Sequence, residues 1–213
     1  MPIVTISREF GAGGSSVAGI VAAELKAEVV DKMLIDDVAK RLSMQPGDVE
    51  AEVERPRSIL ERLVRSFSTL EPGLGTAWSP PYPDPFFDPR KEIIHLTEEI
   101  IREVAAGGNV VIVGRGAGFV LADKPGVFRV FLRAPEQVRI KTLMGRHGMT
   151  EAEARRKMHE TDSNRAAYTK QLYGRDWCDL DEYDLVINTG RVSYETAAQM
   201  TLCGAKARVL VPA

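Results

Sequence analysis

Apolar residues along the chain follow two alternating rhythms. Short runs rich in β-branched or aromatic residues at 3–7, 110–113 and 127–132 predict buried strands, with 184–188 a fourth and 28–30 a shorter one. Helical spacing separates them. Val17, Ile20, Val21 and Leu25 fall on one face, and a second helix begins near Lys32. Ile93, Ile94, Leu96, Ile100, Ile101 and Val104 form a further stripe, stopped by Gly107 and Gly108. Pro135 opens the next helix in its first turn; Val138, Ile140, Leu143 and Met144 supply its apolar side up to Gly148. Thr150 with Glu153 makes a capping-box pattern, predicting a highly charged helix from about 151 toward Leu172. A last helix is expected over 194–203 and a short terminal strand over 208–211. Strands alternating with helices imply parallel pairing through right-handed crossovers, with both sheet faces covered.

Residues 73–89 break the rhythm. Five prolines, Pro80, Pro81, Pro83, Pro85 and Pro89, exclude a regular helix or a central strand there. Trp78, Tyr82, Phe86 and Phe87 argue against a simple solvated linker and for docking on the domain itself or on a partner subunit, as in a homodimer.

Composition narrows the function classes. A chain of 213 residues suits one sizeable core. Its formal charge of -2 gives no global attraction to nucleic acid, so any anion site must be local. Cys178 and Cys203 show neither metal spacing nor a disulfide framework, which favours a reducing cytoplasm. His95, His147 and His159 lack the spacing of a histidine metal site. No apolar run approaches the ~20 residues of a membrane span, and no basic segment precedes an apolar one at the N-terminus. A soluble, cytoplasmic protein with no membrane or nucleic-acid partner is expected.

The local anion site is found after the first strand. Gly11, Ala12, Gly13, Gly14, Ser15 and Ser16 form a glycine-rich turn opening directly into a helix, an arrangement that brings backbone N–H groups and the positive end of a helix dipole to one point. Against the phosphate-loop pattern G-x-x-x-x-G-K-[ST], Gly13 and Ser15 match, while Arg8 replaces the first glycine and Gly14 the lysine. Arg115 ends a predicted strand, on the rim where open parallel sheets bind ligands. Asp162 and Arg165 lie three apart on the charged helix, and Arg155 ten residues before Arg165 lies near the same side.

Taken in order, SREFGAGG, Val30-Asp31-Lys32, Gly114-Arg115-Gly116, VFRVFLRAPEQVR and Asp162-Ser163-Asn164-Arg165 resemble the cytidylate-kinase-like proteins, whose signature reads SREFGSGG. The resemblance covers nearly the whole chain, least across 45–90. It implies an α/β P-loop nucleoside-monophosphate-kinase-like three-layer fold with a five-stranded parallel sheet, a helical insertion and a helical lid. A single domain over 1–213 is expected, its core formed by 1–40, 90–147 and 179–213, the insertion by about 41–89 and the lid by about 148–178.

The chemistry implied is transfer of the γ-phosphoryl group of ATP to CMP or dCMP, with Mg²⁺ and with small-molecule nucleotides as substrates. Gly11 to Ser16 would wrap the donor phosphates, Ser15 offering its hydroxyl to Mg²⁺. Asp31 and Arg115 would serve the acceptor; Arg8, Asp162 and Arg165 would be catalytic, with Arg155 on the lid. Relatives sharing SREFGSGG also lack the lysine, and often carry Arg where this chain has Ser15. The family often has Asp after its Gly-Arg, where this chain has Gly116. A nucleotide-binding protein of the same fold without kinase activity, or a kinase for another small acceptor, are the alternative readings.

Overall fold

The computed structural model describes residues 1–31, 33–42, 45–47 and 89–209. Five parallel strands, β1 (Ile3–Arg8), β2 (Glu28–Val30), β3 (Val110–Val113), β4 (Val127–Arg133) and β5 (Leu185–Asn188), form one sheet in the order β2-β3-β1-β4-β5. β1 is central, pairing with β3 and β4, and its successive apolar side chains are buried on both faces, as strands covered by helices on both sides require. Registers Ile6↔Val113 and Arg8↔Leu132 align the carboxyl ends of the central strands on one rim.

Pleating sends alternate residues to two cores. Val4, Ile6, Val111, Val113, Val130 and Leu132 meet α1 (Gly14–Leu25) and a long C-terminal helix on one face. Ile3, Val110, Ile112 and Val127 meet α2 (Met33–Leu42), α3 (Pro89–Gly107) and α4 (Ala117–Val120) on the other. The helix stripes behave as their spacing predicts: Val17 and Val21 are fully buried in α1, Ile93, Ile100 and Ile101 in α3. Pro89 stands at the first position of α3, where a missing N–H costs nothing.

α5 (Glu136–His147) and α6 (Glu151–Tyr173) form a hairpin over the rim. Its own small core is Ile140, Leu143, Ala154 and Met158, and Phe10 of the glycine-loop segment packs against it. The capping box at Thr150 is present, Thr150 N–H donating to Glu153 at 2.8 Å. Two expectations for α5 are corrected. Pro135 is the N-cap rather than a first-turn residue, and Val138 and Met144 are exposed. The inward stripe is Arg139, Ile140 and Leu143, because the hairpin contact selects the i, i+1, i+4 face and takes an arginine with it.

The terminal strand expected from Arg208 onward is likewise replaced. The last helix, α7 (Tyr194–Val209), continues through Arg208 and Val209. Ala197, Ala198, Thr201 and Ala205 bury one continuous side, and Lys206 and Arg208 in the final turn complement the helix dipole, so propagation outweighs the β-branched ending. The proline-aromatic run up to residue 88, most of the expected insertion and residues 210–211 lie outside the described residues.

Candidate active site

The turn between β1 and α1 builds the centre of the site. Gly13 is the N-cap of α1 with φ 84°, and no side chain caps the helix. A Cβ on Gly13 would collide with the Tyr194 ring, so this position needs glycine for both conformation and space. Ser16 and Val17 N–H groups turn back to Gly13 O at 3.0 Å. Among the described residues none accepts a hydrogen bond from the N–H groups of Gly11, Gly13, Gly14 or Ser15. Four converging donors, two of them on buried residues, are suited to the oxygens of a phosphate chain.

The other side of the same loop is fully engaged. Asp162 accepts from Phe10 N–H at 2.8 Å, Arg165 donates to Arg8 O at 2.8 Å, and the Thr189 hydroxyl donates to Ala12 O at 2.9 Å. Arg139, 9% exposed, reaches Phe10 O at 3.3 Å, ion-pairs with Asp162 and lies 3.6 Å from Glu9. Glu9 in turn accepts from Ala134 N–H at 2.8 Å. The result is a loop clamped from behind by β4, α5, α6 and the end of β5, with its donors held open in front.

Ser15 and Asp31 meet beside the helix start at 3.4 Å, and Arg8 lies 3.8 Å from the same carboxylate. Hard oxygen ligands of this type fit a magnesium ion, which keeps most of its waters and takes few protein groups. Among the described residues there is no cluster of three or more His, Cys, Asp or Glu side chains for a resident metal. On the opposite flank Arg146, in the last turn of α5, donates to the Ser16 hydroxyl and lies over the Tyr194 ring at 5.9 Å.

Arg115 stands at the end of β3 with φ 54°, between Gly114 at 77° and Gly116 at 71°. A non-glycine residue in this region carries a strain of roughly 1 kcal/mol, a cost found at sites where orientation matters. Tyr173, at the end of α6, closes the space beside it: a Cβ on Gly116 would lie 2.6 Å from the Tyr173 ring. Tyr173 stacks on Phe119 at 5.5 Å and meets Tyr168 edge-on at 6.2 Å. Burial pushes both phenols above their ordinary range.

The expected site residues therefore divide. Arg8, Asp31, Ser15 and the glycine loop come together, with Asp162 and Arg165 bonded to the loop segment from behind. Arg155 is placed apart from them, ion-paired with Glu136 of α5 and with Glu151 at 3.1 Å. Trp177 is a buried aromatic, edge-on to Phe131 at 5.5 Å. From the sequence alone, Arg139, Arg146 and Thr189 had no role at the site. Arg139 alone carried a signal, a charge inside an apolar stripe.

Sheet order, rim and clamped amide loop define a P-loop kinase fold of the nucleoside-monophosphate-kinase type. Solved structures share it. An uncharacterized protein from Eubacterium ventriosum superposes with a TM-score of 0.69 at 24% identity, covering 98% of this chain and 100% of that one. Shikimate kinase from Bacteroides thetaiotaomicron does so with a TM-score of 0.53 at 14% identity over 99% of each chain. The model of the cytidylate kinase-like family matches residues 3–191, and the chain belongs to that family. Among curated proteins, cytidylate kinase from Methanopyrus kandleri is 36% identical over 100 residues, 43% of this chain and 52% of the relative. Cytidylate kinase from Pyrococcus horikoshii is 43% identical over 94 residues, 44% of this chain and 47% of the relative. The chain thus spans about half the length of the curated relatives it matches.

Proposed function

We propose that the protein is a nucleoside monophosphate kinase that moves the γ-phosphoryl group of ATP to CMP or dCMP in the cytoplasm. The observation that carries this is the row of four N–H donors that no described residue engages, on a loop clamped from behind, one strand away from Arg115 on the same rim. Gly11, Gly13, Gly14 and Ser15 hold the donor phosphates through their backbone N–H groups, and Arg146 stands beside Ser16. Arg115 takes the acceptor phosphate, its planar fork matching two oxygens. An acceptor phosphate oxygen attacks the γ-phosphorus, the bond from that phosphorus to the β,γ-bridging oxygen breaks, and ADP leaves with the electron pair. Ser15 and Asp31 would hold Mg²⁺, which when bound neutralises charge on the donor phosphates. Asp162 and Arg165 act in this conformation as positioning residues, through the loop backbone that they bond.

A different small acceptor is favoured by one specific observation, the filling of the space at Gly116 by Tyr173. The family likeness supports cytidylate; the aromatic wall supports a reshaped acceptor pocket. A coupled assay with ATP and Mg²⁺ across CMP, dCMP, UMP, AMP, GMP and non-nucleotide phosphate monoesters separates the two. CMP or dCMP should show the highest kcat/KM. Turnover confined to a non-nucleotide acceptor would establish the second reading, and ATP binding without turnover on any acceptor would reduce the protein to a nucleotide-binding module.

A further inference from the structure

The two positions at which the loop departs from G-x-x-x-x-G-K-[ST] touch each other. Arg8 stands where the first glycine would be, Gly14 where the lysine would be. A Cβ built on Gly14 would lie 2.6 Å from Cγ of Arg8 and 3.2 Å from its Cβ and Cδ. The arginine stem thus crosses the space that any side chain at position 14 would take. Its guanidinium ends at the mouth of β3, where a Cβ on Gly114 would collide with Nη1, and Nη2 lies 3.8 Å from Asp31 Oδ1. Asp31 also meets the Ser15 hydroxyl, and the Arg8 carbonyl is held by Arg165. Arg8 is therefore anchored at its backbone, flanked by bare positions along its stem and aimed at the line where the glycine loop faces Gly114 and Arg115.

We propose that the two departures are one device, in which the loop's cation is supplied from position 8 across a bare position 14 and is delivered to the seam between donor and acceptor phosphates. This rests on the kinase reading given above. A guanidinium suits the seam better than an ammonium, because its planar fork can meet oxygens of two phosphates at once and its charge survives desolvation. Asp31 keeps the guanidinium on the rim. The missing lysine is then no defect, and restoring it alone would be harmful: a lysine at 14 and an arginine at 8 compete for the same volume.

The test is an exchange of the cation between the two positions. Arg8→Ala, Gly14→Lys and the double variant Arg8→Gly/Gly14→Lys are compared with the unaltered chain in two readouts, affinity for ATP with Mg²⁺ by calorimetry and the rate of CMP phosphorylation. Arg8→Ala should lower kcat about a hundredfold, as loss of one transition-state cation does, with a change in ATP affinity of less than about tenfold. Gly14→Lys should lose at least as much, and the double variant should recover to within about tenfold of the unaltered chain. Gly14→Ala, a milder insertion whose fold is checked by circular dichroism, should also be impaired beside Arg8, and adding Arg8→Gly should bring no recovery of rate, because that pair carries no cation at either position. Gly14→Lys equal to or faster than the unaltered chain, or a double variant no better than either single one, would overturn the proposal. Should no acceptor be turned over at all, the kinase reading fails; the shared space of positions 8 and 14 is then judged on ATP affinity in the Gly14 variants, where a loss in Gly14→Lys that the double variant recovers supports the device and equal affinity in the two refutes it.

Discussion

Arg139 illustrates how a buried charge is kept at this site. It is held by Asp162 and Phe10 O with Glu9 beside it, and each of these partners belongs to or bonds the segment that precedes the glycine loop. Truncation to Ala would leave Glu9 without this counter-charge and Asp162 with Arg165 alone, 3.6 Å away, so Arg139→Ala should cost about 3 kcal/mol in urea unfolding. Asp162→Asn, which retains an acceptor for Phe10 N–H, should cost less, and the double variant should fall short of the sum. Arg115 behaves in the opposite way. Its φ of 54° is one that glycine adopts without strain, so Arg115→Gly should act mainly on function, raising the acceptor KM at least about tenfold at unchanged ATP affinity. The side chains at the front of the site were readable because glycine loop and Gly-Arg motifs are local. Asp162 and Arg165, behind the loop, were readable through the family motif, whereas the contacts of Thr189 and Arg146 were not, since Thr189 is 177 positions from Ala12 and Arg146 is 130 positions from Ser16.

At the scale of elements, strand identity was readable wherever both faces are largely buried, because β3 is apolar throughout and the apolar runs of β1 and β4 are interrupted only by Thr5, Ser7 and Arg129. Glycine stops and the capping box set the ends of α5 and α6 just as locally. Removing the cap by Thr150→Ala should cost about 1 kcal/mol of stability by urea unfolding. The hairpin of α5 and α6 supplies Arg139, Asp162 and Arg165, so the same variant should also weaken ATP binding more than an exposed α6 substitution such as Glu160→Ala. Where elements were misjudged, tertiary contact outweighed local pattern. Burial of Ala205 extends α7 through a run that reads as a strand, and packing against α6 rather than the sheet rotates the apolar face of α5.

For the molecule as a whole, tyrosines tie the end of α6 and the segment after it to the sheet. Tyr183 packs on Phe131 at 4.9 Å and donates to Trp177 O at 2.8 Å, and burial pushes its phenol up to about 12 from 10.0. A raised folded value favours the neutral form, so stability is complete below pH 10 and is lost as pH rises from the unfolded value toward the folded one. Urea midpoints taken between pH 8 and 12 should fall steeply above about 10, and Tyr183→Phe should flatten that fall while losing one hydrogen bond at neutral pH. Among the described residues no helix is long and apolar enough to cross a membrane.

Everything proposed for the site depends on the N–H row at the start of α1 holding a phosphate chain without a loop lysine. Amide NMR on ¹⁵N-labelled protein titrated with ATP and Mg²⁺ reads that row directly. The N–H resonances of Gly11, Gly13, Gly14 and Ser15 should shift together and saturate with one affinity, ahead of changes elsewhere. If those four stay in place while ATP binds at another surface or not at all, the account is wrong.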